Sequence, residues 1–485
     1  MKVFSRIVRS GLIWCILCGG ITTVRAQQLS DPNQPAWTKT ISSNEFKKDL
    51  DFLFKTIEEV HPNMYAYTSK EEFAKYKDQL YKQIDRPMNR RELFKLVAPV
   101  VAWLRSLHTR IIMPFREEYE QYSKAGGKVF PLVLSWDESK VTLNKNYSTA
   151  ALPLGGEVLT INGELTSELF ARFEHWFPAE NRRTNPWIIE HPVSLRRLLF
   201  FEYGTIESWH LSIKAKDGVI NSYTIPSLPL TEFTADEPVA TIEREKHYRF
   251  IPEYDAALIK FYKWQEPEKL KLFWDKAFRD ISEKNVSNLI IDIRENTGGS
   301  DQCFHPLLEH LTHKPFRLYD RVEMKIVPQA QERIEQLRRD IPEVFENKEE
   351  GDIVVFELPF QTPADNRFRF AGRTFVLIGR RSFSASTVFA SIVKCFKIAT
   401  LVGEETGDPT TLYADSIHFK LPNSDLEACV ASKLLVTACG QLNGRGVIPD
   451  YEVKQKPEDI AKGVDTVLQF TLDLIRKSSS EIPRK

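Results

Sequence analysis

Between Ile41 and about Arg116 the apolar positions recur in helical steps. Phe46, Leu50, Leu53, Phe54, Ile57 and Val60 stand three or four residues apart, which lays one apolar stripe along a helix. The same periodicity predicts a second helix over Phe73–Ile84 and a third over Arg91–Leu107. Together they make a small helical domain, 41–118, behind a polar stretch at 27–40 that reads as a linker. From Gly127 the period shortens: KVFPLVLSW, KVTLN, GGEVLTING and HLSIKAK are β-rich runs broken by Gly, Asn and Asp, the punctuation of strands and tight turns. With helices expected at Leu165–Trp176 and Ser194–Phe201, residues 119–235 form a mostly β module.

From Tyr248 onward strands and helices alternate. AALIKF predicts a strand, PEKLKLFWDKAFRDISEK a long amphipathic helix, and NLIIDIR a strand; TFVLIGR predicts another, followed at once by the helix STVFASIVKCF and the buried strand IATLVG. Such alternation implies a largely parallel sheet with helices layered on it. The fold class expected is therefore α/β, mixed α+β across a multidomain chain, with 236–485 as the α/β core. PEDIAKGVDTVLQFTLDLIRK closes it as an amphipathic helix, and the acidic run Glu343–Asp352 reads as a solvated loop or helix end.

Charge narrows the function classes. The 66 Lys and Arg residues balance 66 Asp and Glu in a chain of 485, so the clustered basic excess that neutralises phosphates is missing and no nucleic-acid partner is expected. The first 26 residues differ: Lys2, Arg6 and Arg9 precede the apolar run GLIWCILCGGI, and Val24-Arg25-Ala26 follows, the pattern of a secretory signal cut before Gln27. That run is shorter than the ~20 residues a bilayer span needs, so no integral membrane segment is expected after cleavage, and the chain reads as secreted or periplasmic. Lipidation at Cys15 or Cys18 is the alternative anchor, disfavoured by the bulky Trp14 and Leu17 before them. Of the remaining cysteines, Cys303, Cys395, Cys429 and Cys439, Cys429 and Cys439 flank an expected hairpin and are candidates to pair.

Two segments end strands in the manner of active-site loops, which gather at the carboxyl edge of α/β sheets. LIIDIR runs into Glu295-Asn296-Thr297-Gly298-Gly299-Ser300, where paired glycines leave backbone N–H groups open to a substrate oxygen. VLIGRR runs into Ser382-Phe383-Ser384-Ala385-Ser386 and straight into a helix. A serine on such a turn projects its hydroxyl from the sheet, and the amides behind it can hold an oxyanion. Either segment alone is also what a plain turn or an N-cap looks like; the two together are more informative. His305, His310 and His313 near Cys303 lack the spacing of a helical zinc site, and no metal or cofactor is expected.

LIIDIRENTGG, RRSFSASTVFA, LVGEETG and GRGVIPDYEV occur in the order that resembles the tail-specific, or C-terminal processing, serine peptidases. GGEVLTINGELTSEL resembles their peptide-binding PDZ-like module, and EEVHPNMYAYTSKEEF with WLRSLHTR resembles the N-terminal helical part of secreted bacterial members. The resemblance implies a ClpP/crotonase-like catalytic core, a polypeptide substrate, Ser384 as nucleophile, and Gly298, Gly299 and Ala385 as oxyanion-hole residues. It also implies a base other than the lysine of the Ser-Lys members, because Gly407-Asp408-Pro409-Thr410 stands where they carry one. The branch typified by the tricorn core protease takes a histidine from upstream, and Ser106-Leu107-His108-Thr109 resembles its segment. With an ordinary imidazole pKa, His108 would give activity rising through about pH 6–7. For the group that orients the imidazole, Asn443 stands nearest to that branch's glutamate, with Glu404, Glu405 and Asp408 as competitors. Related retinoid-binding proteins make a binding protein with weakened catalysis the alternative function.

Overall fold

In the central sheet, successive side chains point to opposite faces and both faces are apolar. The computed structural model describes residues 40–136, 140–180, 192–233, 246–441, 443–456, 459 and 463–480; the expected signal segment lies outside them.

Three helices open the described chain: α1 (Ser43–Val60), α2 (Lys70–Gln83) and α3 (Arg90–Ala102). Each begins with a reciprocal capping box, Ser42 with Glu45, Ser69 with Glu72 and Asn89 with Glu92, which satisfies two otherwise orphaned amides per helix. The whole predicted stripe of α1 is buried. Helix α3 stops at Ala102, five residues before the expected Leu107, with Pro99 inside it and Arg105 turning back at φ 55°. A two-residue strand, β1 (Arg110–Ile111), follows.

The β module contains α4 (Phe115–Lys124), β2 (Lys128–Val129), β3 (Leu132–Trp136), β4 (Val141–Asn146), β5 (Glu157–Ile161), β6 (Glu164–Leu165), α5 (Thr166–Glu174), α6 (Pro192–Tyr203), β7 (Ser208–Lys214), β8 (Ile220–Pro226) and β9 (Leu228–Pro229). Its main sheet runs β3-β4-β5-β7-β8, with β6 on β5. Alternate residues of β3 and β7 face inward onto Phe170, Phe173 and Trp176, as period-two strands demand.

The core comprises β10 (Lys246–Ile251), β11 (Ala256–Phe261), α7 (Pro267–Lys284), β12 (Asn288–Asp292), α8 (Phe304–Leu311), β13 (Tyr319–Lys325), α9 (Gln331–Asp340), β14 (Ile353–Phe356), β15 (Arg373–Ile378), α10 (Ala385–Cys395), β16 (Thr400–Gly403), β17 (Thr411–Lys420), β18 (Glu427–Thr437), β19 (Tyr451–Glu452) and α11 (Thr466–Ser480). One sheet has the order β10-β11-β12-β15-β16-β19, parallel except for β10. Ala257, Ile259, Leu289, Ile291, Val376 and Ile378 join the main core on one face, while Leu258, Ile290, Phe375, Leu377 and Val402 pack on Val467, Leu472 and Ile475 of α11. Burying each of those α11 side chains contributes roughly 1.5–3 kcal/mol.

A second, antiparallel sheet, β1-β18-β13-β14 with β17 on β18, was not expected from the sequence. It ties the N-terminal part to the core, since Arg110 and Ile111 pair with Cys429 and Ala428. Asp49 of α1 reinforces the tie by accepting from the amides of Asn423 and Ser424 at 2.9 and 2.8 Å. The disulfide also differs from expectation: Cys439 pairs with Cys395 of α10, and Cys429 is a free, buried thiol, as is Cys303. The physical reason is that Cys429 lies inside β18, opposite His418, and not beside Cys439.

Candidate active site

Strands β12 and β15 are parallel neighbours, with Asp292 level with Leu377, so the loops leaving their carboxyl ends meet. Arg294 fastens the base of this junction, with its guanidinium bonding both Asp292 and Asp465 at 2.6–2.9 Å. That charge, set against the cost of burial, holds the Asp292 carboxyl below its ordinary range.

The three serines after β15 have different employment. Ser382 is fully buried; its hydroxyl donates to the Ile293 carbonyl at 2.9 Å and accepts from the Gly379 amide at 3.1 Å. Ser386 is fully buried and accepts from Trp264 Nε1 at 2.8 Å. Ser384 is half-buried and stands at the N-cap of α10 at φ 51°, ψ −118°. A positive φ is strained for a residue with a Cβ, and here it turns the side chain out of the strand-to-helix corner, the geometry of a nucleophile elbow.

The glycine loop presses against that corner. A Cβ on Gly298, at φ 100°, would stand 2.8 Å from Ser384 Cβ, 2.8 Å from the Phe383 carbonyl and 3.2 Å from the Ala385 amide. A Cβ on Gly299, at φ 141°, would stand 2.1 Å from the Trp264 carbonyl. Only glycine fits at either position. The Gly298 amide donates to Asn296 Oδ1 at 3.0 Å, while the amides of Gly299 and Ala385 have no partner among the described residues. Ala385 follows Ser384 in the chain, and Gly299 follows the glycine that abuts it.

His108 sits on the short turn between α3 and β1, not at a helix end. Thr109 Oγ1 accepts from the Ala431 amide at 3.0 Å, and Ser416 donates to the His108 carbonyl at 2.9 Å, so β17 and β18 of the core hold the turn. Behind it, His61 Nδ1 accepts from the Asn63 amide at 3.1 Å, leaving Nε2 to donate to Ser106 Oγ at 3.1 Å. The His108 ring stacks on Phe383, the residue before Ser384, with centroids 5.8 Å apart. No hydrogen bond joins His108 to Ser384.

Burial pushes the His108 imidazole down to about 3, with the Arg110 charge helping; the Tyr413 backbone and Asp415 act in the opposite sense. Burial thus favours the neutral imidazole, in the direction below the 6–7 expected from sequence. Its Nδ1 is buried with no well-formed hydrogen bond.

Asn443 is exposed and engaged within its own turn, accepting from the Arg445 amide at 2.9 Å and donating to Gln441 Oε1 at 3.0 Å. It makes no bond to His108. Among its competitors, Glu405 holds Arg445 at 2.7–2.8 Å and Glu404 pairs with Arg380 at 3.2 Å. Asp408 reaches the Ser384 turn itself, accepting from the Ser384 amide at 2.7 Å. Sequence reasoning missed Phe383, Asp415 and Glu180 around the site. Glu180 Oε1 accepts from the Leu107 amide at 3.0 Å, next to His108, yet lies 73 residues away in sequence, where no local pattern announces it. His310, one of the three clustered histidines, stacks on Phe278 and bonds Asp275 at 3.2 Å, and no metal-binding cluster occurs among the described residues.

Residues 255–453 match the family model for peptidase family S41. These residues form an S41 peptidase domain. A domain of this family makes the chain a serine-type peptidase, whose substrates are polypeptides. Among solved structures, mature CPAF is similar over 90% of this chain and 98% of its own, at 14% identity and a TM-score of 0.60, both free and complexed with lactacystin. The photosystem II D1 C-terminal processing protease matches over 90% and 98%, at 15% identity and a TM-score of 0.46. None of the curated proteins matches the sequence.

Proposed function

We propose that this peptidase is a secreted endopeptidase that cleaves polypeptides through an acyl-enzyme on Ser384, with His108 as general base. The observation that carries the reading is the Ser384 corner: a half-exposed serine in a strained turn at a helix start, with the Gly298 Cβ position 2.8 Å from its own Cβ. Close approach of that kind needs glycine, and the two open amides, of Gly299 and Ala385, are the donors this reading assigns to the negative charge of an attacked carbonyl.

In the reaction, Ser384 Oγ attacks the scissile carbonyl and His108 takes the hydroxyl proton. The oxyanion rests on the two amides; the imidazolium then returns the proton to the leaving amine, and water releases the acyl group. An unliganded site commonly holds such pairs looser than the working complex, so substrate closes the gap between His108 and Ser384. The PDZ-like module presents the chain in extended form by strand addition. Among the described residues no helix is long and apolar enough to cross a membrane.

The test is turnover of a fluorogenic peptide across pH. Because His108 is held at about 3, activity is expected to stay level from neutrality to about pH 5 and to fall only at more acid values. His108→Ala is expected to cost about 10²–10⁴-fold in kcat/KM. A rate near wild type in that variant would remove His108 from the mechanism.

One observation favours a second reading, a polypeptide-binding protein with weakened catalysis: the absence of a hydrogen bond between His108 and Ser384. A fluorophosphonate probe separates the two, since a binding protein does not label. Lactacystin, found with mature CPAF, is the second probe, expected to block hydrolysis only if the acyl-enzyme reading holds.

A further inference from the structure

The cysteines among the described residues fall into two classes. Cys303 and Cys429 are buried thiols. Cys395 and Cys439 are joined to each other, and this pair meets solvent: Cys439 is exposed and Cys395 half-buried. Exchange begins when a thiolate reaches one sulfur of a disulfide, so access decides which bonds open.

The place of the pair decides what opening it does. Helix α10 starts beside Ser384 and ends at Cys395. Its first end is held by Asp408, which accepts from the Ser384 amide at 2.7 Å. Its last end is held by Cys439, in the turn that leaves β18. Thr410, close after Asp408 in the chain, joins the two holds: its carbonyl accepts from the Thr437 amide at 3.0 Å, and its Oγ1 accepts from the Gln441 amide at 3.1 Å. A Cβ on Gly440 would stand 2.5 Å from the Thr410 carbonyl, so the chain after Cys439 passes Thr410 at a distance that only glycine permits. The disulfide thus closes a ring of contacts that runs from Ser384 along α10 to Cys439, and back through Thr410 and Asp408.

We propose that Cys395–Cys439 is an exchange site for a dithiol, attacked at Cys439, and that opening it lowers turnover by slackening the Ser384 corner. The effect on turnover rests on the reading of Ser384 given above and deepens it. A thiolate of the dithiol attacks Cys439 Sγ; the bond to Cys395 breaks, a mixed disulfide forms, and Cys395 leaves as a thiolate that takes a proton. The second thiol of the reagent then gives up its proton and displaces Cys439. Two electrons and two protons pass to the protein, which now carries two thiols, and the reagent departs as a cyclic disulfide.

The opened state keeps its thiols together. Ser391 of α10 donates to the Ala438 carbonyl at 2.7 Å and lies 2.8 Å from Thr437 Oγ1. Asp320 accepts from the Cys439 amide at 3.0 Å. None of these contacts passes through sulfur, so the two cysteines remain neighbours and their re-oxidation is intramolecular. The same contacts limit the loss of activity: misplacement of reacting groups by 1 Å can cost about 10²-fold, and with α10 still tied to β18 about tenfold is expected.

The experiment treats the whole protein with dithiothreitol in the absence of denaturant, alkylates it with iodoacetamide, locates the modified cysteines by peptide mass spectrometry, and measures fluorogenic peptide turnover and thermal unfolding in parallel. Cys395 and Cys439 are expected to be alkylated while Cys303 and Cys429 stay protected. Turnover is expected to fall about tenfold in kcat with KM within about twofold, and diamide, a thiol oxidant, is expected to restore it. The double variant Cys395→Ala, Cys439→Ala is expected to start at the reduced rate and to ignore the dithiol.

Alkylation of the pair only in urea, an unchanged kcat in the reduced protein, or a dithiol response in the double variant would overturn the site. Loss of cooperative unfolding on reduction would overturn it too, since the bond would then be a structural tie alone. If Ser384 is not the nucleophile, Ser384→Ala hydrolyses the peptide while the alkylation pattern stands. If the exchange site fails, Ser384→Ala is inactive and reduction leaves wild-type turnover unchanged, so the two failures are distinguishable.

Discussion

Gly298→Ala tests the Ser384 corner with one methyl group. The new Cβ would stand 2.8 Å from both Ser384 Cβ and the Phe383 carbonyl. Ordinary contact begins near 3.4 Å, so the two loops must part by about 0.6 Å, and both contacts are to groups fixed in the corner itself, with no flexible side-chain end to swing aside. The backbone adds strain, because φ 100° costs a residue with a Cβ about 1–3 kcal/mol. If Ser384 is the nucleophile as proposed, displacement of this size is expected to lower kcat/KM about 10²-fold, and stability falls with it.

A control separates strain from displacement. Gly351, at φ 91°, has nothing within 4 Å of its Cβ position, so Gly351→Ala carries the backbone strain without the clash. The assay is fluorogenic peptide turnover alongside urea unfolding of both variants. Comparable losses of stability are expected, with lost activity in Gly298→Ala alone. Activity of Gly298→Ala within twofold of wild type would refute the close approach of the two loops.

Three further outcomes follow from named contacts. Ser386→Ala strands the buried Trp264 Nε1 and is expected to cost about 1–3 kcal/mol in urea unfolding, with fluorophosphonate labelling retained. Cys395→Ser opens a loop of 44 residues and is expected to cost about 4 kcal/mol on the chain-entropy scale, read by unfolding under non-reducing conditions. His61, pushed down to about 3 chiefly by burial, contributes stability present above about pH 6.5 and lost as pH falls through about 3. Wild type is expected to lose Tm over that window faster than His61→Gln.

The sequence disclosed those parts whose pattern is local. Helix α7 occupies the expected segment, Pro267–Lys284, because its apolar stripe and first-turn proline are both contiguous signals. NLIID is recognisable as a strand covered on both faces, since a parallel sheet between helix layers tolerates no polar alternation. The second sheet was hidden for the opposite reason. Strand β18 is buried along nearly its whole length, yet carries Ser432 and Lys433 at its centre. Lys433 is neutralised by Asp415 at 2.7 Å, from the neighbouring strand, and such compensation is visible only once the strands are paired.

The site divides in the same way. Ser384, Gly298 and Gly299 lie in loops whose chemistry is written in adjacent residues, and the structure brings them together. His108 required the resemblance, because β1 carries its turn to β18 across more than three hundred residues. The tie between Leu107 and Glu180, and that between Ser384 and Asp408, depend on burial, which no spacing encodes. The Cys395–Cys439 pairing likewise follows from α10 lying beside the end of β18, where Ser391 bonds the Ala438 carbonyl at 2.7 Å.

The central claim is that Ser384, and neither of its neighbours, is the nucleophile. Wild-type protein is incubated with a fluorophosphonate and the modified residue is located by peptide mass spectrometry, alongside Ser382→Ala, Ser384→Ala and Ser386→Ala. The adduct is predicted on Ser384, present in the two neighbouring variants and absent from Ser384→Ala. An adduct on Ser382 or Ser386, or labelling that survives Ser384→Ala, would contradict the account.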